Sequence, residues 1–503
     1  MGKRLVLCVS ASSLLLLAGQ GARAQTAGAT SGGGNSASGA SSSSNLGAVQ
    51  QVQQQLSQPG PNVTPGGASD QNFRGSVIRE KATAGNLDLT LDDAIRRGLR
   101  YNLGVILQTS DVKSANGQRL TELQQLLPTV TAGANITVEQ VNLAAYGLKF
   151  PGISPIVGPF QVVDFRAYLT QNLVNLQSIQ NYIAGKHNFE AAKLTAEDAR
   201  DMVVLTVGNA YLLCTADAAR ITAVQAQIAE SKLSLDQATA AHEAGTSPRL
   251  DVLRAQVDYQ NQQQNLISAA NQLAKDKIAL ARAIGLPLDQ QFTLVDTAPY
   301  ASLDTPEAEV AFQQALKQRK DLAADAEKVQ AAKAGQKAAF DEQLPVLNAT
   351  GDFGDLGTTP GHSHGTFTAT GQLSAPLLQF AKTHGDEQIA AAQRDQVEAR
   401  LQDDIQQVNA DVRDAILDIE SAAKLVQAAK SNVDLADEAL KEAQERFRAG
   451  IADNLPVSQA LATDQQANDQ YIAALYQHNV AKLELARALG VATTNYKSYL
   501  GGK

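Results

Sequence analysis

From Leu401 to Phe447 every seam position of a seven-residue period is apolar or Ala: Leu401, Ile405, Val408, Val412, Ala415, Ile419, Ala422, Val426, Ala429, Val433, Ala436, Leu440, Ala443 and Phe447. The steps alternate four and three without a break, and a period held this strictly imposes left-handed supercoiling against neighbouring helices. The run predicts one helix from about Pro376 to Ala449, roughly 110 Å long at about 1.5 Å per residue. No compact domain contains such a rod. Ala at nearly every second seam position permits close helix packing. A looser copy earlier in the chain runs through Val203, Val207, Ala210, Cys214, Ile221, Val224, Ile228, Leu235 and Ala238, which makes Cys214 a packed seam residue rather than a nucleophile.

That earlier copy belongs to a duplication spanning most of the chain. Gln124-Gln125-Leu126-Leu127-Pro128 matches Glu342-Gln343-Leu344-Pro345, Glu243-Ala244-Gly245 matches Arg448-Ala449-Gly450, and Leu280-Ala281-Arg282-Ala283-Ile284-Gly285 matches Leu485-Ala486-Arg487-Ala488-Leu489-Gly490. Two repeats result, 86–300 and 301–492. Their offset falls from 217 at the prolines to 205 at the glycines, which places extra residues of the first repeat in Leu143–Gly158. Each repeat opens with a short helix and a longer one. Thr90 with Asp92 and Asp93, and Thr305 with Pro306, are the expected caps, and Pro128 or Pro345 stops the pair.

Beyond each proline the period changes to two. Val130, Ala132, Ala134, Ile136 and Val138 alternate with Thr131, Gly133, Asn135 and Thr137, the pattern of a strand with one apolar face. Strands are expected at about 129–142 and 159–171, and again at about 346–355 and 364–375. The hairpin windows 128–172 and 345–380 hold 8 of the 23 Phe and Tyr residues, a concentration that suits the interface girdle of a membrane barrel. Four strands cannot close a barrel on their own, since about eight are needed. Two, three or four copies would pool about 8, 12 or 16 strands, and composition does not choose among them.

The ends differ from the repeats. Met1–Ala24 has Lys3 and Arg4, an apolar stretch and Ala22-Arg23-Ala24, the pattern of a cleaved secretory leader. Cys8 lies inside that stretch, so no lipid anchor follows it, and Cys214 alone survives processing. Residues 25–85 read as a disordered low-complexity tail, free of charge from Gln25 to Ser69. Residues 493–503 read as a C-terminal tail. No later stretch predicts a membrane-spanning helix, so any crossing uses strands.

Net charge is −9, with no basic face for nucleic acid. No phosphate cradle, zinc motif or nucleophile elbow stands in a suitable context, which excludes the common enzyme classes and implies no cofactor. His362-Ser363-His364 sits in a Gly/Thr/Pro-rich loop with no carboxylate at ligand spacing, so no metal site is expected.

The paired strand starts, the tip sequence from His242 to Gln256, the tip Arg446-Phe447-Arg448-Ala449-Gly450 and the paired Ala-Arg-Ala-(Ile/Leu)-Gly endings together resemble the TolC-like outer-membrane efflux proteins of Gram-negative bacteria, over about Leu87 to Val491. The resemblance implies a mainly α chain with a β-hairpin portion. Long coiled coils form an α-helical barrel in the periplasm, and a transmembrane β-barrel is completed by trimerisation with four strands per chain. It implies a homotrimer in outer-membrane lipid. Its partners would be a periplasmic adaptor protein and an inner-membrane pump of resistance-nodulation-division, major facilitator or ABC type.

By the same resemblance, Gly245, Thr246 and Ser247 and Gly450, Ile451 and Ala452 are adaptor-docking tips. Relatives line the entrance with carboxylates six and nine residues beyond the second tip glycine, positions held here by Pro456 and Gln459. Asp453 and Gln459 are therefore the candidate entrance residues, with Asp251 and Arg254 as a candidate inter-helix ion pair holding the entrance shut. The functions in play are a passive exit duct for small molecules with a cation preference, the same duct in type I protein secretion, and a periplasmic coiled-coil scaffold without a barrel.

Overall fold

The computed structural model describes residues 70–82, 85–148, 151–296 and 300–500, which fall in one unit; the leader and most of the charge-free tail lie outside the described residues. A short helix α1 (Asp70–Phe73) comes first. The first repeat then runs β1 (Leu87–Leu89), α2 (Leu91–Tyr101), α3 (Leu103–Gln124), β2 (Thr129–Asn142), β3 (Ile156–Val174), α4 (Leu176–Glu243), α5 (Arg249–Ile284) and β4 (Phe292–Leu294). The second runs α6 (Ala308–Gln318), α7 (Lys320–Asp341), β5 (Val346–Gly357), β6 (Ser363–Ser374), α8 (Phe380–Arg448) and α9 (Leu455–Ala488), and α10 (Ala492–Tyr499) closes the chain.

Local chemistry sets the helix starts. The Thr90 side chain accepts from the Asp93 amide at 3.1 Å, with Asp92 and Asp93 in the first turn where the helix dipole favours acids. The second repeat differs from the sequence expectation: α6 begins at Ala308 behind Glu307, without a side-chain cap, so Thr305 and Pro306 precede the helix. The joint between the short and longer helix is held by a buried polar residue in each repeat. At Asn102, Oδ1 accepts from Gly104 N at 2.9 Å, while Nδ2 donates to the carbonyls of Phe73 and Ala283. The matching joint uses Arg319, which donates to Asp321 and to Asp411 of α8.

The rods are α4, with 68 residues, and α8, with 69, each roughly 100 Å long. Every position of the α8 seam is buried or half-buried. The helix starts at Phe380 rather than Pro376, four residues inside the expected bound. One 18-residue window of α4 is as apolar as a membrane span, against the expectation of none. It is 44% buried: Val203, Val204, Val207, Tyr211 and Leu212 are enclosed by helices of both repeats, which is why the helix is apolar there. The main core sits at this level, where α2, α4, α5, α6, α8, α9 and α10 converge.

Two described segments that the sequence groups with the tails are held against the helices. Residues 70–82, grouped with the tail by composition, lie along the α2–α3 joint: Phe73 is buried, Val77 N donates to Tyr101 O, and Leu103 N donates to Gly75 O. Part of the expected C-terminal tail is α10. Its Thr493 amide and hydroxyl donate to Asp201 at 2.7 and 2.5 Å, and Lys497 pairs with Asp92 at 2.8 Å.

The four long strands form one antiparallel sheet in the order β2-β3-β5-β6, with β2 and β6 at its edges. The first hairpin connection occupies 143–155 and the second only 358–362, which locates the excess of the first repeat.

Candidate functional site

The sheet has two chemically opposite faces. Its register stacks Val130, Leu169, Gly351 and Ala369 in one row, then Ala132, Ala167, Phe353 and Phe367 in the next, all on one side. This apolar side is open: Phe367 is 77% exposed, Phe353 70% and Val130 69%. The other side carries Thr129, Thr170, Thr350 and Thr370 in one row and Thr131, Tyr168, Asp352 and Thr368 in the next. On that polar side Arg166 binds Asp164 at 3.1 Å, Thr366 at 3.1 Å and Asp352, tying β3 to β5 and β6. Of the aromatics, Phe165, Phe353 and Phe367 lie within the apolar face, placed there by strand register, while the exposed Tyr146 beyond β2 and Phe380 at the start of α8 stand at its two ends. Strands of 12 to 19 residues exceed the about 9–11 that a tilted strand needs to cross a bilayer.

At the far end of the rods the chain reverses twice, by the same device. Gly245 has φ +76°, its amide donates to His242 O at 2.9 Å, and Thr246 N donates to Ala241 O at 2.9 Å. Gly450 has φ +70°, its amide donates to Phe447 O at 3.0 Å, and Ile451 N donates to Arg446 O at 3.0 Å. Both are Schellman caps, which place a left-handed residue just past the helix end. Neither glycine has a neighbour within 4 Å of where a Cβ would stand, so backbone conformation alone calls for Gly. The tips lie side by side: Leu235, Ala238, Ala255, Leu440, Phe447, Val457 and Leu461 form one small core from all four helices. Outside it Leu250, Leu253, Ile451 and Leu455 are exposed.

The expected tip residues Gly245, Thr246, Gly450 and Ile451 are exposed, and Ser247 and Ala452 half-buried. Asp251 and Arg254 do not tie two helices together. They pair within α5 at 3.5 Å, three residues apart, and the buried Asp251 carboxylate accepts from Ser247 Oγ at 2.6 Å, fastening the first tip to its own helix. Asp453 and Gln459 are exposed, and Asp453 Oδ1 accepts from Leu455 N at 3.3 Å at the start of α9. Sequence reasoning missed Asn454, which is fully buried and accepts from Ser234 Oγ of α4 at 3.3 Å. Its signal was Asn just before Leu455-Pro456, a helix-start pattern. It also missed Asp258, which accepts from Ser458 Oγ across α5 and α9 at 2.5 Å.

Electrostatics along the rods are set by buried carboxyls. About two and a half turns into α9, Asp464 is pushed up to about 6 by burial and by the hydrogen-bonded Asp437 carboxyl of α8, with Glu230 of α4 adding repulsion. Higher up, burial and the hydrogen-bonded Asp276 of α5 push Asp217 of α4 up to about 7. Cys214 is buried, and burial pushes its thiol up to about 12, which suits a packing residue and not a reactive one.

The profile of the family described as outer membrane efflux protein matches residues 109–286 and 311–491, more than half of the chain and both repeats. The pyoverdine export outer membrane protein OpmQ of Pseudomonas putida is 26% identical over 308 residues, 60% of this chain and 65% of that protein. The chain thus spans just under two thirds of that relative's length. The outer membrane protein OprJ of Pseudomonas aeruginosa is 22% identical over 425 residues, 80% of this chain and 83% of that one. Among solved structures, the CmeC outer membrane channel of Campylobacter jejuni superposes with a TM-score of 0.71 at 16% identity, covering 88% of this chain and 98% of that one, a likeness of fold.

Proposed function

The chain belongs to the outer membrane efflux protein family, and from that premise we propose that it is the exit duct of a tripartite efflux system. It is an outer-membrane transport channel and not an enzyme. One observation carries the finer reading: a four-stranded sheet with an open apolar face, a Thr-lined polar face and two unpaired edges, set on rods roughly 100 Å long. Lipid is the solvent that suits the apolar face, but open edges cannot face lipid, because unpaired backbone groups there cost several kcal/mol each, on the order of an unmade buried hydrogen bond.

Pairing β6 of one copy with β2 of the next removes both edges. Three copies close a barrel with the Thr rows inside, and the rods of the three copies form a tube below it. The Schellman-capped tips are the surfaces that meet a periplasmic adaptor, and the exposed Leu250, Leu253, Ile451 and Leu455 supply apolar contact for it. Asp453 and Gln459, both exposed at the second tip, are the entrance residues. Asp251 and Arg254, joined within one helix, stiffen the first tip and leave it free to move as a unit. The relative named for pyoverdine export favours a small-molecule cargo over a protein. Energy comes from an inner-membrane pump, and the duct conducts passively.

Deleting the chain from its host and following intracellular ethidium tests this reading. Accumulation should rise and return to its original level on complementation. Unchanged accumulation across substrates of all the host's pumps would count against an efflux duct.

A further inference from the structure

Each rod hairpin buries one carboxyl of a facing acid pair between its two helices. In the first, Asp217 of α4 is 6% exposed, its carboxyl meets that of Asp276 of α5, and its Oδ2 has no donor among the described residues. In the second, Asp464 of α9 is 6% exposed and meets the exposed Asp437 of α8, and among the described residues Asn468 Nδ2 donates to its Oδ1 at 3.1 Å. Two ionised carboxylates have only acceptors, so such a contact needs a proton held by one of them.

The one donor to the first pair, Gln272 Nε2, reaches the outer carboxyl, Asp276 Oδ2, at 2.7 Å and leaves Asp217 Oδ2 without a donor among the described residues. Around Asp217, Arg220 of the same helix is engaged by Asp469 at 3.0 Å, and Lys277 of α5 donates to Phe292 O at 3.0 Å. From α9, Tyr476 faces the pair, and Cys214 lies one turn away on α4; neither adds positive charge. Around Asp464, Glu230 of α4 adds a third carboxyl, itself accepting from Gln444 Nε2 at 3.0 Å.

We propose that the Asp217–Asp276 and Asp437–Asp464 pairs are proton-held latches. One proton shared between the two carboxyls ties helix to helix in each hairpin, and its release to water leaves two facing carboxylates that loosen the hairpin. The latch rests on helix packing alone and not on the transport reading. The fold holds Asp217 up to about 7 and Asp464 up to about 6, so each favours its protonated form. A group raised in the fold stabilises it least when ionised. Hairpin stability therefore falls as pH rises from the ordinary carboxylate range to about 6 or 7, and is flat above that.

Hydrogen–deuterium exchange on the full-length extracted protein at pH 5 and pH 8, corrected for intrinsic exchange, tests the latches. Peptides flanking both pairs should be better protected at pH 5, on the order of a hundred-fold around Asp217 and ten-fold around Asp464, about ten-fold for each pH unit between 5 and the raised value of the buried acid. Asp217→Asn, which mimics the protonated acid, should abolish the difference in the first hairpin only, and Asp464→Asn in the second only. Asp276→Asn should reproduce the first result from the opposite helix. Equal wild-type protection at both pH values would overturn the proposal, as would Asn variants that keep the wild-type difference or that fail to fold. Protection at pH 8 that is restored by calcium and removed by chelator would replace the proton with a bound cation and overturn it equally.

Discussion

Gly450 and Gly490 both sit in the left-handed region, at φ +70° and +71°, yet they answer different demands. At the tip, Gly450 has open space around it, so Gly450→Ala should cost only the backbone term, about 1–2 kcal/mol. A Cβ on Gly490 would stand 2.8 Å from Arg319 N and 2.9 Å from its Cα, at the joint between α6 and α7 of the same repeat, and backbone cannot yield as a side-chain end can. Gly490→Ala should therefore be clearly the more destabilising, as read from denaturant midpoints of the two variants. Equal midpoints would contradict this assignment. The tip glycines were legible in the sequence because a Schellman cap is a local device. Asp217, Asp464 and Asn454 were not, because their meaning lies in partners on another helix, and neither period nor spacing announces a pairing across helices. Asp251 and Arg254 pair within α5 because residues three apart on a helix are close neighbours on one face.

Among the elements, the heptad of α8 was the most legible, since fourteen seam positions report one face repeatedly and no tertiary context overrides them. Ile419, 2% exposed within the main core, should show the consequence: Ile419→Ala is expected to cost about 2–5 kcal/mol in unfolding measurements. The sheet is tested by its two faces. Phe353→Arg puts a charge on the apolar side and should cost about 2–4 kcal/mol where it meets the bilayer midplane, depleting the protein from outer-membrane fractions. Thr350→Lys, on the polar side, should leave membrane incorporation unchanged and lower cation conductance. If both substitutions, or neither, depleted the protein, the facial assignment would be wrong. The strap formed by residues 70–82 and helix α10 escaped sequence reading. Both are short and are fixed by contacts to remote residues, such as Ser76 Oγ to Arg282 O and Thr493 to Asp201, so no periodic signal could build up.

At the scale of the whole molecule, two repeats lay rods side by side around one core and end in a sheet that is chemically finished on its faces but not at its edges. That incompleteness is the reason for assembly: the same chain that is stable along its rods has no closed form in lipid without copies of itself. Native mass measurement of the unheated protein extracted from outer membranes, followed by single-channel recording of the same sample in a planar bilayer, tests the shared-strand duct most directly. The account predicts a species of three chains that conducts ions. A single chain, or an oligomer that never conducts in the bilayer, would contradict it.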